Sequence, residues 1–309
     1  MRSSTRSSLR RSAPPFRKMS AGEKVFTIID YAVMIFVLVT IAYPLIYIVS
    51  ASFSSPDAVI SGKVVLWPVD VTLKGYKAVF KNPKIMVGIR NSVFYTVVGT
   101  LVNIVMTMFC AYPLSRKEFV ARNKIAAYFV FTMYFSGGLV PTYILVMKLG
   151  LVNSPWAMII PTAMSTYNMI IARTYMVNSI PDELYEATEI DGGTPWQYFI
   201  RIVWPLCKPI IAVLVLYYGV AKWNDYYNAM IFLKSDTLQP LTIVMRDILI
   251  QNQVDPTMLT DARQASELAG LSQLLKYSTI VVGSLPVLIL YPFVQKYFVK
   301  GVMVGAVKG

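Results

Sequence analysis

Histidine is absent from the 309 residues, so the commonest metal ligand and the commonest general base are both missing. Cysteine is nearly absent. Cys110 and Cys207 lie in or beside apolar stretches, where they pack as small hydrophobes, and no disulfide framework is indicated. Charged residues make up 15% of the chain, against about 25% in soluble domains. No G-x-x-x-x-G-K-[ST] run occurs, so no loop is shaped to cradle the phosphates of a nucleotide. These gaps argue against a soluble domain, against a metalloenzyme and against ATP hydrolysis by this chain alone. The net charge of +13 needs no nucleic acid to explain it, because basic residues are concentrated in tails and loops.

What is abundant is apolar: 56% of residues are hydrophobic. Six runs, with cores near 26–49, 92–114, 125–147, 157–178, 209–233 and 277–296, each approach the ~20 residues a helix needs to cross a bilayer. They are continuous rather than alternating, which indicates helices and not barrel strands. The expectation is an all-α polytopic membrane protein with six transmembrane helices over 25–300. Residues 1–24 read as a basic, disordered cytoplasmic tail, 234–276 as an extracytoplasmic loop and 297–309 as a cytoplasmic C-terminal tail. A signal peptide is the rival reading of the first run, but its apolar core is too long for that role. The larger share of Lys and Arg falls on the side of the N-terminus, with the short SRKEFVARNK loop at 115–124 weighing most. Both termini and the 179–208 loop are therefore expected in the cytoplasm.

That loop reads SIPDELYEATEIDGGTPWQYFIRIVWPLCKP and holds five carboxylates. Ser179 with Asp182 has the spacing of a capping box, and Thr194, Pro195 and Gln197 repeat the start signal. Gly192 and Gly193 supply the permissive backbone between two short helices, and Pro205 and Pro209 are expected to stop the second. The predicted object is a helix, a sharp glycine corner and a second helix beneath the membrane.

The run Glu186-Ala187-Thr188-Glu189-Ile190-Asp191-Gly192-Gly193, followed by Ile202-Val203-Trp204-Pro205, resembles the EAA loop of binding-protein-dependent ABC importers. Thr188 stands for the second alanine of that motif, Gly193 for its third and Trp204 for a leucine, while Glu, Asp, Gly and Pro keep register. Asn91-Ser92, Trp223-Asn224 and the ending KYFVKGVMVGAVKG are similar to the carbohydrate subclass, in particular the smaller maltose-permease-like subunit. FSGGLVPTYIL at 135–145 resembles the branch serving oligosaccharides and polysaccharide fragments. The resemblance implies a bacterial cell-membrane permease, paired with a second homologous permease and two ATP-binding subunits that hold ATP and Mg. An extracytoplasmic solute-binding protein would deliver the sugar. This chain itself would bind no cofactor and no metal and would have no catalytic residue. Coupling to the ATPase falls to Glu183, Glu186, Ala187, Asp191, Gly192 and Gly193.

Sugar passage needs aromatic faces and hydrogen-bonding groups inside the bundle. In the fifth run, Tyr217, Trp223, Asn224, Tyr227 and Asn228 fall near one helical face; interhelical bonding and interfacial aromatics are the alternative. Lys222 and Asp225 read as a structural pair. Gly138, beside Gly137 and near Pro141, interrupts the third run, either lining a cavity or allowing close helix contact. Leu241, Val244, Met245, Ile248 and Leu249 predict a packed amphipathic helix in the 234–276 loop, either a lid or an arm toward the binding protein. An ion-coupled secondary transporter is the alternative function, with Asp30 and Asp225 its candidate acids. An intramembrane enzyme is disfavoured by the missing histidine.

Overall fold

The structure, a computed structural model, describes residues 20–251 and 262–305. Most of the expected 1–24 tail, residues 252–261 of the expected loop and residues 306–309 lie outside the described residues. Every regular element among the described residues is helical. The first helix, α1 (Ala21–Ser52), starts inside the expected tail because Ser20 and Glu23 close a reciprocal capping box. Two short helices, α2 (Pro56–Ile60) and α3 (Lys74–Lys81), lead to α4 (Pro83–Ser115), whose first amides are capped by Asn82 Oδ1.

Beyond α4 the spans are broken. The third expected run is α5 (Arg122–Tyr134) and α6 (Leu139–Lys148), bent by 114° at a gap containing Gly138, whose φ is +85°. The fourth expected run is not one helix: a 3₁₀ turn at Pro155–Met158 and irregular backbone precede the 14-residue α7 (Thr166–Ser179). Next come α8 (Glu183–Ile190), α9 (Pro195–Tyr198), a π turn at Phe199–Val203, α10 (Trp204–Leu206) and α11 (Lys208–Trp223). Pro205 does not stop its helix; the 74° bend falls after Leu206, and Pro209 sits in the first turn of α11. The fifth expected run breaks again at Asn224-Asp225 before α12 (Tyr226–Phe232). Last are α13 (Leu241–Gln251) and α14 (Ala262–Gly305). Among the described residues three helices are long and apolar enough to cross a membrane by themselves, or up to five spans if each bent pair counts as one, so several of the expected runs are broken helices rather than continuous ones.

Broken backbone in hydrocarbon leaves polar groups that must be satisfied by protein. α4 does this. Asn91 Nδ2 donates to the Thr237 and Gln239 carbonyls at 2.8 and 3.0 Å, and Tyr95 Oη donates to the Leu238 carbonyl at 2.8 Å. Ser92 Oγ accepts from Leu241 N at 2.8 Å, and Asn103 Nδ2 donates to the Thr162 carbonyl at 2.6 Å. Small residues on the same helix permit the approach. A Cβ on Gly88 would lie 3.1 Å from Leu241 Cα, and one on Gly99 would lie 3.0 Å from Lys222 Cε. The main core then forms where α4 and α7 meet the 198–218 segment, around Met108, Met169, Phe199, Cys207 and Leu214. The expected stripe of α13 is also present, with Leu241 and Val244 buried, Met245 and Ile248 partly so, and Leu249 more exposed. α1 keeps its apolar surface outward, touching α14 through an edge-on Tyr47–Tyr277 pair.

Tyr218 joins three of these pieces: its hydroxyl bonds Thr107 Oγ1 at 2.6 Å and accepts from Ser165 N at 3.1 Å. Tyr218→Phe strands both partners where water is excluded and should cost about 1–2 kcal/mol. Thermal unfolding of the detergent-purified chain measures this; an unchanged midpoint would remove Tyr218 from the framework.

Candidate functional site

The 179–208 segment forms the expected helix, corner and helix. Its first cap differs from expectation. Ser179 is the last residue of α7, and Asp182 precedes α8 without a side-chain cap bond. The Asp182 carboxylate is instead held by Lys117 Nζ, with Arg116 at 3.8 Å. The second start is as predicted, with Thr194 N donating to Gln197 Oε1 at 2.9 Å and Gln197 N to Thr194 Oγ1 at 3.2 Å. At the corner Gly192 has φ +72°, a left-handed backbone that L side chains rarely adopt. Gly193 is needed for space, since a Cβ there would sit 2.5 Å from Thr188 Cγ2.

α8 has two unlike faces. Tyr185 turns inward, edge-on to Tyr198 with ring centroids 5.1 Å apart. Glu183, Glu186, Ala187 and Ile190 project outward at helical spacing, with Ile190 86% exposed. Asp191 and Gly192 continue that exposed edge.

Residues that drew no notice in the sequence hold this segment to the bundle. Arg116, just past α4, places its guanidinium 4.0 Å from the Tyr185 ring centre and 5.4 Å from that of Tyr198, and its Nε and Nη2 fork the Glu118 carboxylate at 3.1 and 3.0 Å. Tyr112 Oη donates to the Pro195 carbonyl at 3.3 Å, and Phe109 stacks on Trp196 at 5.8 Å. The available signal was complementary charge: the basic SRKEF turn and the acidic 182–191 run. The hydrogen bond from Lys117 holds the Asp182 carboxyl below the usual carboxylate range, and the same bond raises the Lys117 ammonium above the usual lysine range. A lowered carboxyl gives stability that is lost as pH falls through its folded pKa, and a raised ammonium gives stability lost as pH rises through its own. The tie therefore holds through the whole range between those values.

Inside the bundle the single face expected for the fifth run is divided, because the chain leaves the helix at Asn224 and restarts with Asp225 capping Asn228. Tyr217 and Asn228 border a polar hollow of about 460 Å³ with Asn103, Asn168, Lys222 and Asp225. Trp223 and Asn224 border a different hollow, of about 440 Å³, beside Leu241 and Arg246. Trp223 is buried and donates to the Gly283 carbonyl at 2.9 Å, while Tyr227 is exposed and lines neither hollow. Gly138 meets Asn228 across a third hollow of about 370 Å³. Lys222 and Asp225 stand close enough for their charges to interact, but their side chains hydrogen-bond elsewhere. Lys222 Nζ donates to the Met158 carbonyl at 2.6 Å and to Thr162 Oγ1, and the Asp225 oxygens accept from Asn228. Asn103 Oδ1, buried beside the polar hollow, accepts no hydrogen bond. No cluster of ligand side chains that could hold a metal ion occurs among the described residues.

The class of a helical membrane body with an exposed helix pair docked against it is given by comparison with known proteins. Residues 85–304 match the family described as the binding-protein-dependent transport system inner membrane component, and the chain belongs to it. Over 287 residues it is 37% identical to the polygalacturonan/rhamnogalacturonan transport system permease protein YtcP of Bacillus subtilis, covering 93% of this chain and 99% of that one. Protein LplC of the same organism is 37% identical over 86% of this chain and 89% of its own. The fold matches a chain in the crystal structure of a bacterial ABC transporter involved in import of the acidic polysaccharide alginate, with TM-score 0.82, 29% identity and coverage of 91% and 99%. This chain is accordingly a permease of the ABC importer type.

Gly192→Val should strain the corner by about 1–2 kcal/mol through backbone alone, because no atom lies within 4 Å of the added Cβ. Solute uptake should fall while the spans still insert; normal uptake at normal abundance would refute the need for this geometry. Asp182→Asn should loosen α8 from the 116–118 turn, detectable as faster proteolysis of the 179–208 segment in membranes; unchanged cleavage would show that the aromatic contacts suffice.

Proposed function

We propose that this chain forms half of the translocation pathway of an ATP-driven sugar importer in the bacterial cell membrane, paired with a second, homologous permease. Two separate ATPase subunits, carrying the ATP and Mg, dock on the cytoplasmic side, and an extracytoplasmic solute-binding protein delivers the substrate. Both termini and α8 face the cytoplasm in this reading, in keeping with the basic 115–124 turn. The observation that carries it is the outward stripe of α8. Glu183, Glu186, Ala187 and Ile190 stay exposed while the opposite face is fastened to the bundle, so the helix presents an acidic and apolar ridge with no use inside this chain. Glu186 offers a carboxylate to a basic group of the ATPase, Ala187 allows close approach, and Asp191, Gly192 and Gly193 set the corner.

An oligosaccharide or polysaccharide fragment is the substrate class that fits. The named relatives include permeases for polygalacturonan/rhamnogalacturonan and for melibiose/raffinose/stachyose in Bacillus subtilis. A solved neighbour of 15% identity and TM-score 0.53, which shares the fold, is an alginate transporter in complex with a sugar-bound periplasmic protein. The polar hollow supports the same reading. Tyr217 provides an aromatic face, and Asn103, Asn168 and Asn228 provide amides for hydroxyls. Gly138 opens the adjoining hollow, and Trp223, with Asn224 and Tyr227 nearby, shapes the wall between this region and α14.

In a reconstituted complex, Glu186→Ala should weaken retention of the ATPase and lower uptake together; unaltered retention and uptake would sink the docking role. Tyr217→Ala or Asn228→Ala should cut oligosaccharide uptake several-fold while ATP turnover and sugar capture by the binding protein persist. Wild-type uptake in both variants would move the pathway elsewhere.

A further inference from the structure

Four cations converge where α4 and α7 end. Arg116, Lys117, Arg122 and Arg173 line one cavity of about 200 Å³ together with Tyr112, Ser115 and Asp182. Asp182 is the only acid in that lining among the described residues, and it is already held by Lys117 and Arg116. Arg116 is further occupied by Glu118. Arg122 and Arg173 differ. Each is half-buried and fixed by one backbone carbonyl: Arg122 Nη1 donates to the Arg116 carbonyl at 2.9 Å, and Arg173 Nε donates to the Leu114 carbonyl at 2.7 Å. Among the described residues neither makes an ion pair within 4 Å, although Arg122 stands near enough to Asp182 for its charge to help lower that carboxyl. A guanidinium carries five donors in a fixed fork, so each anchoring bond leaves donors available, and the anchor pre-sets their direction.

Depth separates the possible anions. α4 carries an apolar stretch long enough to cross a membrane and ends at Ser115, and the cavity lies against that end. Arg173 Nε bonds the carbonyl of Leu114, one residue before that end, so its guanidinium stands level with the end of α4, with Met176, Val177 and Ile180 beside it in the lining. A cation at that level without an acid partner reaches a lipid phosphate more readily than a carboxylate on a soluble protein. The cavity has room for more than a single water, whose share of liquid volume is about 30 Å³.

We propose that this cavity, between the end of α4, the 116–123 turn and the last turns of α7, is a binding site for the headgroup phosphate of an anionic glycerophospholipid, gripped by Arg122 and Arg173. Arg116 and Lys117 add attraction from the rim while they hold Asp182, so a seated lipid stands against the same turn that fastens α8.

The test uses the full-length chain extracted with its assembly and native mass spectrometry, with phosphatidylglycerol, phosphatidylcholine or inorganic phosphate as the added probe. Phosphatidylglycerol should be retained in preference to phosphatidylcholine, and millimolar inorganic phosphate should not displace it. Arg122→Gln and Arg173→Gln should each reduce its retention roughly tenfold, the loss of one charge-assisted hydrogen bond. Arg173→Lys should recover part of it. Because Arg173 also binds the Leu114 carbonyl, Arg122→Gln at the mouth decides the case should the Arg173 variants not assemble. Equal retention of the two lipids, or full retention in Arg122→Gln, overturns the proposal. Complete displacement by inorganic phosphate also overturns it, in favour of a free-anion site. Loss of ATPase subunits from Arg122→Gln with lipid retention intact overturns it in favour of a protein contact.

Discussion

Backbone that leaves helical geometry inside a bilayer has no water to satisfy it, and in this protein side chains of α4 supply much of what is missing. Asn91, Ser92, Tyr95, Asn103 and Thr107 lie along that helix, and between them they bond the 237–241 turn, the 162 carbonyl and Tyr218. The irregular segments are therefore tolerated because one long helix carries a polar stripe opposite them. Asn153 extends the arrangement by accepting from Lys234 N and Ser235 N at 3.0 and 2.9 Å. Hydrogen bonds of this kind are individually modest, about 0.5–2 kcal/mol each. Their importance lies in the desolvation each one prevents.

The same helix delivers the tie to α8. Arg116 follows directly after it and is stacked against Tyr185 and Tyr198, while Lys117 holds Asp182. α8 is thus fastened directly to the residues that follow a membrane span. Such a connection is what a subunit needs if events at an external partner are to alter the bundle. The polar hollow lies further along α4, at Asn103, and is bordered by α7 and α11 as well. The proposed coupling ridge is tied to the end of α4, and the hollow is bordered by the same helix.

Irregularity is concentrated where solute passage is proposed. The 114° bend beside Gly138 faces α12, the helix that restarts after the break at Asn224-Asp225, across the hollow shared by Gly138 and Asn228. Unbroken spans are found instead at α1, at α4 and in the apolar part of α14. This distribution fits a rule in which non-helical backbone at membrane depth lines cavities rather than lipid.

Several features were legible from residue types alone. Apolar runs longer than a helix needs to cross hydrocarbon defined the all-helical membrane class, and the order Glu186, Asp191, Gly192, Pro205 carried the family resemblance that the comparisons bear out. Gly192 at the corner and the Thr194–Gln197 box also followed from local chemistry, because caps and left-handed turns depend on only a few neighbouring residues. The breaks inside the runs, the grouping of Tyr217, Trp223 and Asn228, and the hydrogen-bond partners of Lys222 and Asp182 did not follow. Hydropathy measures only whether a segment tolerates lipid, and helical spacing predicts a common face only while the helix continues; the breaks at 135–138 and 224–225 end that continuity. Lys222 met a carbonyl 64 residues away rather than the acid three residues along, and Asp182 met Lys117 across the bundle. Such pairings belong to tertiary structure, because buried charges and amides settle on whichever partner packing brings within bonding distance.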